Sequence, residues 1–185
     1  ESSLVDTYTT ADVWKDYTIL SREGFPGGEY TTNDGYKYIF YPYSQKATLI
    51  ANNYNSNATI TIPSSFVKDE ITYTVNEIGN DCFSGCGNVT EIVINDNIES
   101  IAANSFDGCS ALNTLMMNGS IPPSSTTAIT LPNNAVIYVE DDDLITYQTS
   151  ETWKQNTIKS KKEYAGLEEI VDTYKYRLYP YAKEA

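Results

Sequence analysis

The sequence predicts a mainly β fold with short helices, in which about three to four coils stack as a solenoid along a parallel sheet. Three observations predict it. A motif recurs with a fixed period of 23 residues, each copy ends in a short apolar run that alternates as a strand does, and a Phe-x-Gly-Cys turn precedes each run. Coils of this length bury their apolar sides against one another, so several must stack to form a core.

The repeat is clearest between residues 76–94 and 99–117. Each of its positions has a structural role. The apolar runs should form strands with one buried face, the two phenylalanines should fill the opposite side of the core, and the two glycines should take backbone angles that a side chain forbids. The matching pairs are Ile78/Ile101, Phe83/Phe106, Gly85/Gly108, Cys86/Cys109, Val89/Leu112 and Ile92/Leu115.

This pattern resembles the BspA-type leucine-rich repeat, whose consensus reads Ile-Gly-x-x-(Ala/Cys/Ser)-Phe-x-(Gly)-Cys-x-x-Leu-x-x-Ile. About seven positions recur in that order in both copies, and Ala102 departs from the usual glycine. An earlier Ile-Pro-Ser-Ser entry at 62–65, followed by an inserted Tyr-Thr-Val, resembles the first coil of such proteins. The resemblance implies a leucine-rich-repeat solenoid in a secreted or surface protein of the kind common in gut and oral Bacteroidetes, with adhesion or host-protein contact as its role.

Composition narrows the function classes. Among the 185 residues, 25 are Asp or Glu, 12 are Lys or Arg and none is histidine, so the net charge is −13. Such a field repels nucleic acid and anionic membranes, and no apolar run is long enough for membrane insertion. Without histidine, Ser-His-Asp and Cys-His catalysis is excluded, and scattered carboxylates in so acidic a chain are usually solvated. We therefore expect no enzyme and no cofactor, and the chain, which shows no signal segment, should be mature or truncated.

The three cysteines are predicted to be buried thiols. Cys86 and Cys109 occupy the same position in adjacent coils, whose strands stack roughly 4.8 Å apart. That spacing permits a disulfide, but in a stacked ladder both side chains point the same way and act as small apolar groups. Cys82 has Ser105 at the equivalent position of the next coil, and no basic residue nearby in sequence favours a reactive thiolate.

Elements flanking the repeats complete the predicted domain organisation. Residues 1–23 form a cap-like segment, 24–35 a linker of turn formers, 36–164 the repeat domain and 165–185 a C-terminal segment. Within the domain we expect an N-terminal β-hairpin at 36–51 and a small projecting hairpin at 67–75. A C-terminal cap should follow a strand at 135–139, with Asp141, Asp142 and Asp143 as helix N-cap rather than calcium ligands, Trp153 sealing the core, and an extended stretch from Ile158.

Two echoes link the ends of the chain. Residues 8–21 match 147–160 at an offset of 139, and residues 36–43 match 174–181 at an offset of 138. They indicate a repeating unit of about this length. The ends should fold back onto their own repeats or dock head-to-tail on another copy, because an uncovered apolar helix and an unpaired strand are liabilities.

The leading functional hypothesis is a cell-surface or secreted adhesion module that contacts a protein partner. Two alternatives stay open: a glycan-binding surface protein, suggested by the 16 tyrosines, and a structural spacer in a tandem array. If the apolar residues of the repeat strands point inward, their neighbours form an exposed outer column that is a candidate contact face. Ordinary strand propensity, or cover by a segment such as the N-terminal helix, also explains its composition. The column comprises Thr61, Glu91, Val93, Thr114, Met116 and Tyr138.

Overall fold

The computed structural model describes residues 5–11, 22–51, 58–132, 135–164, 168–171 and 174–177. These residues contain two α-helices, one before the first strand and one after the tenth. Short 3-10 turns occupy Arg22–Gly24, Asp141–Asp143 and Lys161–Glu163. The helices are α1 (Val5–Thr10) and α2 (Leu144–Thr149). The strands are β1 (Gly28–Thr31), β2 (Lys37–Tyr41), β3 (Lys46–Ala51), β4 (Thr59–Thr61), β5 (Ser65–Lys68), β6 (Ile71–Ile78), β7 (Glu91–Ile94), β8 (Ser100–Ile101), β9 (Thr114–Met117), β10 (Val136–Val139), β11 (Thr157–Ser160), β12 (Glu168–Val171) and β13 (Tyr174–Arg177).

A five-stranded parallel sheet carries the repeats. Its order is β11-β10-β9-β7-β4, so sheet neighbours are successive repeats of the chain. One apolar residue from each strand stands in register with the next, and the resulting row is buried throughout. The register follows from the side-chain alternation of a strand, because a slip by one residue would turn every apolar group outward. This row consists of Ile60, Ile92, Leu115, Ile137 and Ile158.

A second sheet lies on the path β1-β2-β3-β6-β5, with β8 also paired to β6. β2 and β3 form the expected antiparallel hairpin, and β5 and β6 form the expected inserted one. β6 also pairs in parallel with both β3 and β8, and a bridge from Ser100 to Ser124 extends the parallel run by one rung. The predicted linker at 24–35 is wrong in one respect, because Gly28–Thr31 is a strand held by backbone pairing to β2.

An aromatic cluster fills the second sheet and ties it to the first. The Tyr38 ring stacks on Phe66 at a centroid distance of 4.4 Å, and Phe66 stacks on Tyr73 at 5.4 Å. Tyr36, just before β2, donates its hydroxyl proton to the Thr61 carbonyl of the parallel sheet at 2.5 Å. Most of the tyrosines between 36 and 43 therefore pack against the protein rather than stand free for a ligand; Tyr43 is the exposed one.

The turn between the sheets has the predicted geometry. The rings of Phe83 and Phe106 stack with centroids 5.5 Å apart and planes 12° apart. Gly85 and Gly108 both have positive φ, at 81° and 90°. All three cysteines are buried and none of them forms a disulfide, which confirms the predicted thiol ladder.

Side chains at the C-terminal end close the core as expected. Trp153 is fully buried and donates its ring N–H to the Pro123 carbonyl at 2.8 Å. Asp143 occupies the N-cap position of α2, as predicted, but its side chain makes no cap hydrogen bond. Asp141 instead accepts hydrogen bonds from Ser160 and Lys162, because β11 returns beside it.

The two echoes are described only in part. Val5–Thr10 is helical, but residues 12–21 of the first echo lie outside the described residues. In the second echo, Tyr174–Arg177 forms β13, which pairs antiparallel with β12 as a separate two-stranded sheet.

Candidate functional site

The six residues of the predicted contact face lie together on the parallel sheet. Thr61, Val93, Met116 and Tyr138 form one row across β4, β7, β9 and β10, and Glu91 stands beside Thr114 in the parallel row. They alternate with the buried isoleucines and leucine, so they belong to the outer surface of the sheet.

The outer surface is only partly open, which corrects the expectation of an exposed column. Met116 keeps 1% of its surface accessible and Thr114 keeps 7%. Val93, Glu91 and Tyr138 are half-buried, and Thr61 is exposed. The face is therefore covered at β9 and half-buried at β10, and its more accessible part on β4 and β7, comprising Thr61, Glu91 and Val93, is called the open half.

Tyr164 accounts for part of the cover. Its ring meets the Tyr138 ring edge-on with centroids 5.0 Å apart, and its hydroxyl donates a hydrogen bond to the Glu91 carboxylate. Because Tyr164 follows β11, the chain returns across the sheet from its far edge towards β7. Burial, and after it the nearby Glu163 carboxylate, raises the pKa of Tyr138.

Sequence reasoning missed this contact because a lone tyrosine after a 3-10 turn has no periodic pattern that would mark it. Its placement depends on where the chain turns after β11. That turn is fixed by a capping box in which Ser160 accepts from the Lys162 amide and Glu163 reaches back to the Ser160 amide. The open half of the face, comprising Thr61, Glu91 and Val93, ends at the tyrosine that this turn positions.

A groove of about 580 Å³ lies on the second sheet, where sequence reasoning predicted no site. Its lining combines small apolar side chains with amide, hydroxyl and carboxylate groups. Glu77 lies at one end, where its carboxylate accepts a hydrogen bond from Thr48 at 2.9 Å. The lining residues are Glu77, Asn80, Ser100, Ile101, Ala102, Ala103, Asn104, Ser124, Ser125 and Thr126.

A shallower depression of about 320 Å³ shares Glu77 with the groove and is also lined by Tyr41 and Lys46. Next to it, Lys46 donates two hydrogen bonds to Glu99, at 2.8 and 2.9 Å, and Asn76 donates a third. The Lys46 ammonium, and after it Asn76, hold the pKa of Glu99 below its ordinary value. The surface beside Glu77 therefore carries charged and amide groups that hydrogen-bond to one another.

Comparison with known proteins identifies the repeats. A family model described as a BspA type leucine rich repeat region, with 6 copies, matches residues 63–131. The match spans β5 to β9, where the structure stacks the 23-residue units in parallel. This segment is a BspA-type leucine-rich repeat region. No curated protein matches the chain.

Three solved leucine-rich-repeat structures are similar to this chain. One, from Bacteroides capillosus, is 21% identical, with 60% of this chain and 71% of that chain covered and a TM-score of 0.42. A leucine rich cell surface protein from Faecalibacterium prausnitzii is 19% identical. The match covers 71% of this chain and 32% of that chain, with a TM-score of 0.45. A leucine-rich repeat protein from Bacteroides ovatus is 18% identical. The match covers 68% of this chain and 38% of that chain, with a TM-score of 0.30. The chain thus spans about a third of the second and third proteins.

The thiols of the repeat region are held in their neutral form. Burial raises the pKa of Cys109 to about 12 and raises the pKa of Cys82 as well. Neither group presents a thiolate at neutral pH, which is the form that attacks electrophiles or binds metal. Across the described ranges, no three acidic or cysteine side chains are grouped to hold a metal ion, and no helix is long and apolar enough to cross a membrane.

Proposed function

We propose that the BspA-type repeat region forms a solenoid of about three to four coils that works as a non-catalytic binding module of a secreted or cell-surface protein, contacting a protein partner in adhesion. What supports the proposal is the family of the repeats together with the open half of the outer face. The finding that a similar protein is described as a cell surface protein is consistent with this location.

The open half has properties suited to protein contact. Val93 is a half-buried apolar side chain on the interior strand β7, flanked by the exposed Thr61 and by Glu91. Parallel pairing on both sides of β7 holds these groups in fixed positions, so little conformational entropy is lost on binding. With a net charge of −13, the chain favours a partner whose docking surface is basic.

A direct test measures binding of the full chain to a panel of purified extracellular proteins by biolayer interferometry. Val93→Lys places a positive charge on the open half and should weaken the affinity for a captured partner by at least about tenfold, since an unpaired charge must then be desolvated. Ile145→Lys is the matched control, because Ile145 is 73% exposed on α2, outside the sheet. Equal affinity of a correctly folded Val93→Lys chain and the wild type would contradict the proposal.

Glycan binding is the second candidate, and the groove is the observation that favours it. No large apolar side chain is exposed among its lining residues, so the groove lacks the apolar anchor pocket that protein hot spots need. Its hydroxyl, amide and carboxylate groups instead match the hydroxyl groups of a neutral sugar. Tyr41 in the adjoining depression supplies an aromatic ring.

A glycan array separates the two candidates. Glu77→Gln keeps an acceptor for Thr48 but removes the carboxylate charge, so it should reduce binding of a neutral oligosaccharide several-fold, because hydrogen bonds to charged groups are the stronger ones. Val93→Lys is the control and should leave glycan binding unchanged. If the wild-type chain binds no glycan, this candidate function is ruled out. If Val93→Lys abolishes glycan binding and Glu77→Gln does not, the glycan binds at the outer face of the parallel sheet and not in the groove.

A further inference from the structure

Three chemically complementary side chains meet where three neighbouring strands of the parallel sheet end. Asn118 follows β9, Glu140 follows β10 and Lys161 follows β11, each as the next residue after its strand. Because β10 pairs in register with β9 on one side and with β11 on the other, these three positions are neighbours at the same end of the sheet. An amide, a carboxylate and an amine therefore come together from places up to 43 residues apart in the chain.

The Lys161 amine joins the other two groups. Its Nζ lies 2.8 Å from the Asn118 Oδ1 and 3.0 Å from the Glu140 Oε1. Only 4% of the Lys161 side chain is accessible, while 62% of the Glu140 side chain is. The turn that begins at Lys161 is held by the capping box between Ser160 and Glu163, so the buried amine is positioned from a fixed backbone.

This arrangement contains the parts of an amide-forming reaction. A lysine amine is a nucleophile once it has lost its proton, and a carboxylate in contact with it can take that proton. The Oδ1 atom that Nζ contacts is bonded to Cγ of Asn118, the carbon that the amine would attack. Holding a nucleophile, its base and an electrophile within contact distance replaces a slow encounter with a step inside one molecule. Asn118 is exposed, so the nitrogen that leaves has a route to solvent.

We propose that the folded chain forms an intramolecular isopeptide bond between Lys161 and Asn118, with Glu140 as the general base. Glu140 takes one proton from the Lys161 ammonium, Nζ forms a bond to Cγ of Asn118, and the bond between Cγ and Nδ2 breaks. The departing nitrogen takes the proton back from Glu140 and a second one from Nζ, and leaves as ammonium. One ammonium group and one primary amide thus give one secondary amide and one ammonium ion, with no oxidant or reductant.

The bond would close the C-terminal end of the repeat region covalently. The ring that it forms contains β10, α2, the buried Trp153 and β11. A cross-link between distant parts of a chain stabilises the fold mainly by restricting the unfolded state, so the closing segment would stay on the core even when the chain is strained. The bond forms once in each molecule, and the inference is independent of the protein-contact face and of the groove.

Intact-mass spectrometry of the purified full chain, denatured and reduced, tests the bond. The wild-type chain should be lighter than its sequence by the mass of one ammonia molecule, and proteolysis should release a branched fragment that joins Lys161 to Asn118. Lys161→Arg keeps a cationic donor but has no amine that can lose its proton, so it should have the full mass. Lys162→Arg is the matched control and should still lose ammonia. A wild-type chain of full mass would overturn the proposal.

The branched fragment separates this bond from a second route to ammonia loss. Asn118 precedes Gly119, and an Asn-Gly pair can close to a succinimide through the backbone nitrogen without any lysine. Ammonia loss without a branched fragment, or loss that persists in Lys161→Arg, would therefore overturn the proposal. The wild-type fragment decides the question even if Lys161→Arg does not fold, because it identifies the joined residues directly.

The role of Glu140 has its own test. Glu140→Gln keeps a hydrogen-bond acceptor for Lys161 but cannot take its proton. In chains sampled at intervals after synthesis, this variant should lose ammonia at least about a hundredfold more slowly than the wild type, as expected when a general base is removed. Hydrogen exchange should show that its parallel sheet is intact. Equal rates in the variant and the wild type would show that Glu140 is not the base.

Discussion

At Gly108 the backbone takes a conformation that residues with a side chain rarely adopt, and a Cβ there would be crowded. Its φ is +90°, and a Cβ built on it would lie 3.1 Å from the backbone nitrogen of Gly85, its counterpart one repeat earlier. The glycine thus sets how closely two repeats stack at the turn.

Substituting Gly108 by alanine should lower the free energy of unfolding by about 1–3 kcal/mol, from the left-handed backbone and the contact with Gly85 together. Urea unfolding followed by circular dichroism measures it. Gly119→Ala is the matched control, because the nearest atom to its Cβ would be 3.5 Å away and its backbone is not left-handed; it should change stability by less than about 1 kcal/mol. Equal effects of the two substitutions would show that the turn does not set the spacing.

The three thiols should be unreactive in the folded protein. Cys82, Cys86 and Cys109 are 3%, 1% and 1% exposed, and burial raises the pKa of Cys109 to about 12 because the thiolate would lose its hydration. At pH 8 a thiol reagent should modify them only as fast as the chain opens, and should modify all three after denaturation. Rapid labelling of the native chain, or fewer than three thiols in an unreduced denatured sample, would contradict the buried thiol ladder.

At the scale of single elements, the segment around α2 closes one end of the core. Tyr147 donates its hydroxyl to the Gly119 carbonyl at 2.7 Å, and Trp153 donates its ring N–H to the Pro123 carbonyl at 2.8 Å. Both acceptors lie in the loop after β9, so the closing segment also satisfies the carbonyls of the last repeat. Lys161, 3% exposed, adds bonds to Asn118 and Glu140 at 2.8 and 3.0 Å.

Replacing Trp153 by phenylalanine should cost about 2–4 kcal/mol, because it leaves a cavity and deprives the buried Pro123 carbonyl of its donor. Thermal unfolding of the variant measures the loss. Ile145→Ala, on the exposed side of α2, should stay within about 0.5 kcal/mol of the wild type. A Trp153→Phe variant as stable as the Ile145→Ala variant would mean that this segment does not close the core.

The elements that sequence could predict are those with a period. β7 and β9 follow from the 23-residue repeat, and β2 and β3 follow from alternating apolar residues around a turn. β1 could not be predicted, because it is an edge strand in which Tyr30 alone is half-buried, so its residues show no apolar alternation. The contact face shows the same limit. Its row was predictable from alternation, but its cover by Tyr164 was not, because Tyr164 lies 73 residues after Glu91, the residue it reaches on β7.

At the scale of the whole molecule, two sheets share one core. The buried residues run from Tyr36 to Ile158 without a break between the aromatic cluster of the second sheet and the isoleucine row of the parallel sheet. The open half of the face and the groove keep their positions only if units 23 residues apart stack in register. The fold therefore depends above all on this stacking.

A double-mutant cycle on Phe83 and Phe106 tests the stacking most directly. These rings come from equivalent positions of adjacent repeats, and their centroids lie 5.5 Å apart. Each substitution by alanine should cost about 3–5 kcal/mol, as for other buried phenylalanines. Because the rings touch, the double variant should deviate from the sum of the single variants by about 0.5–3 kcal/mol. Additive losses, or single losses well under 1 kcal/mol, would contradict the account.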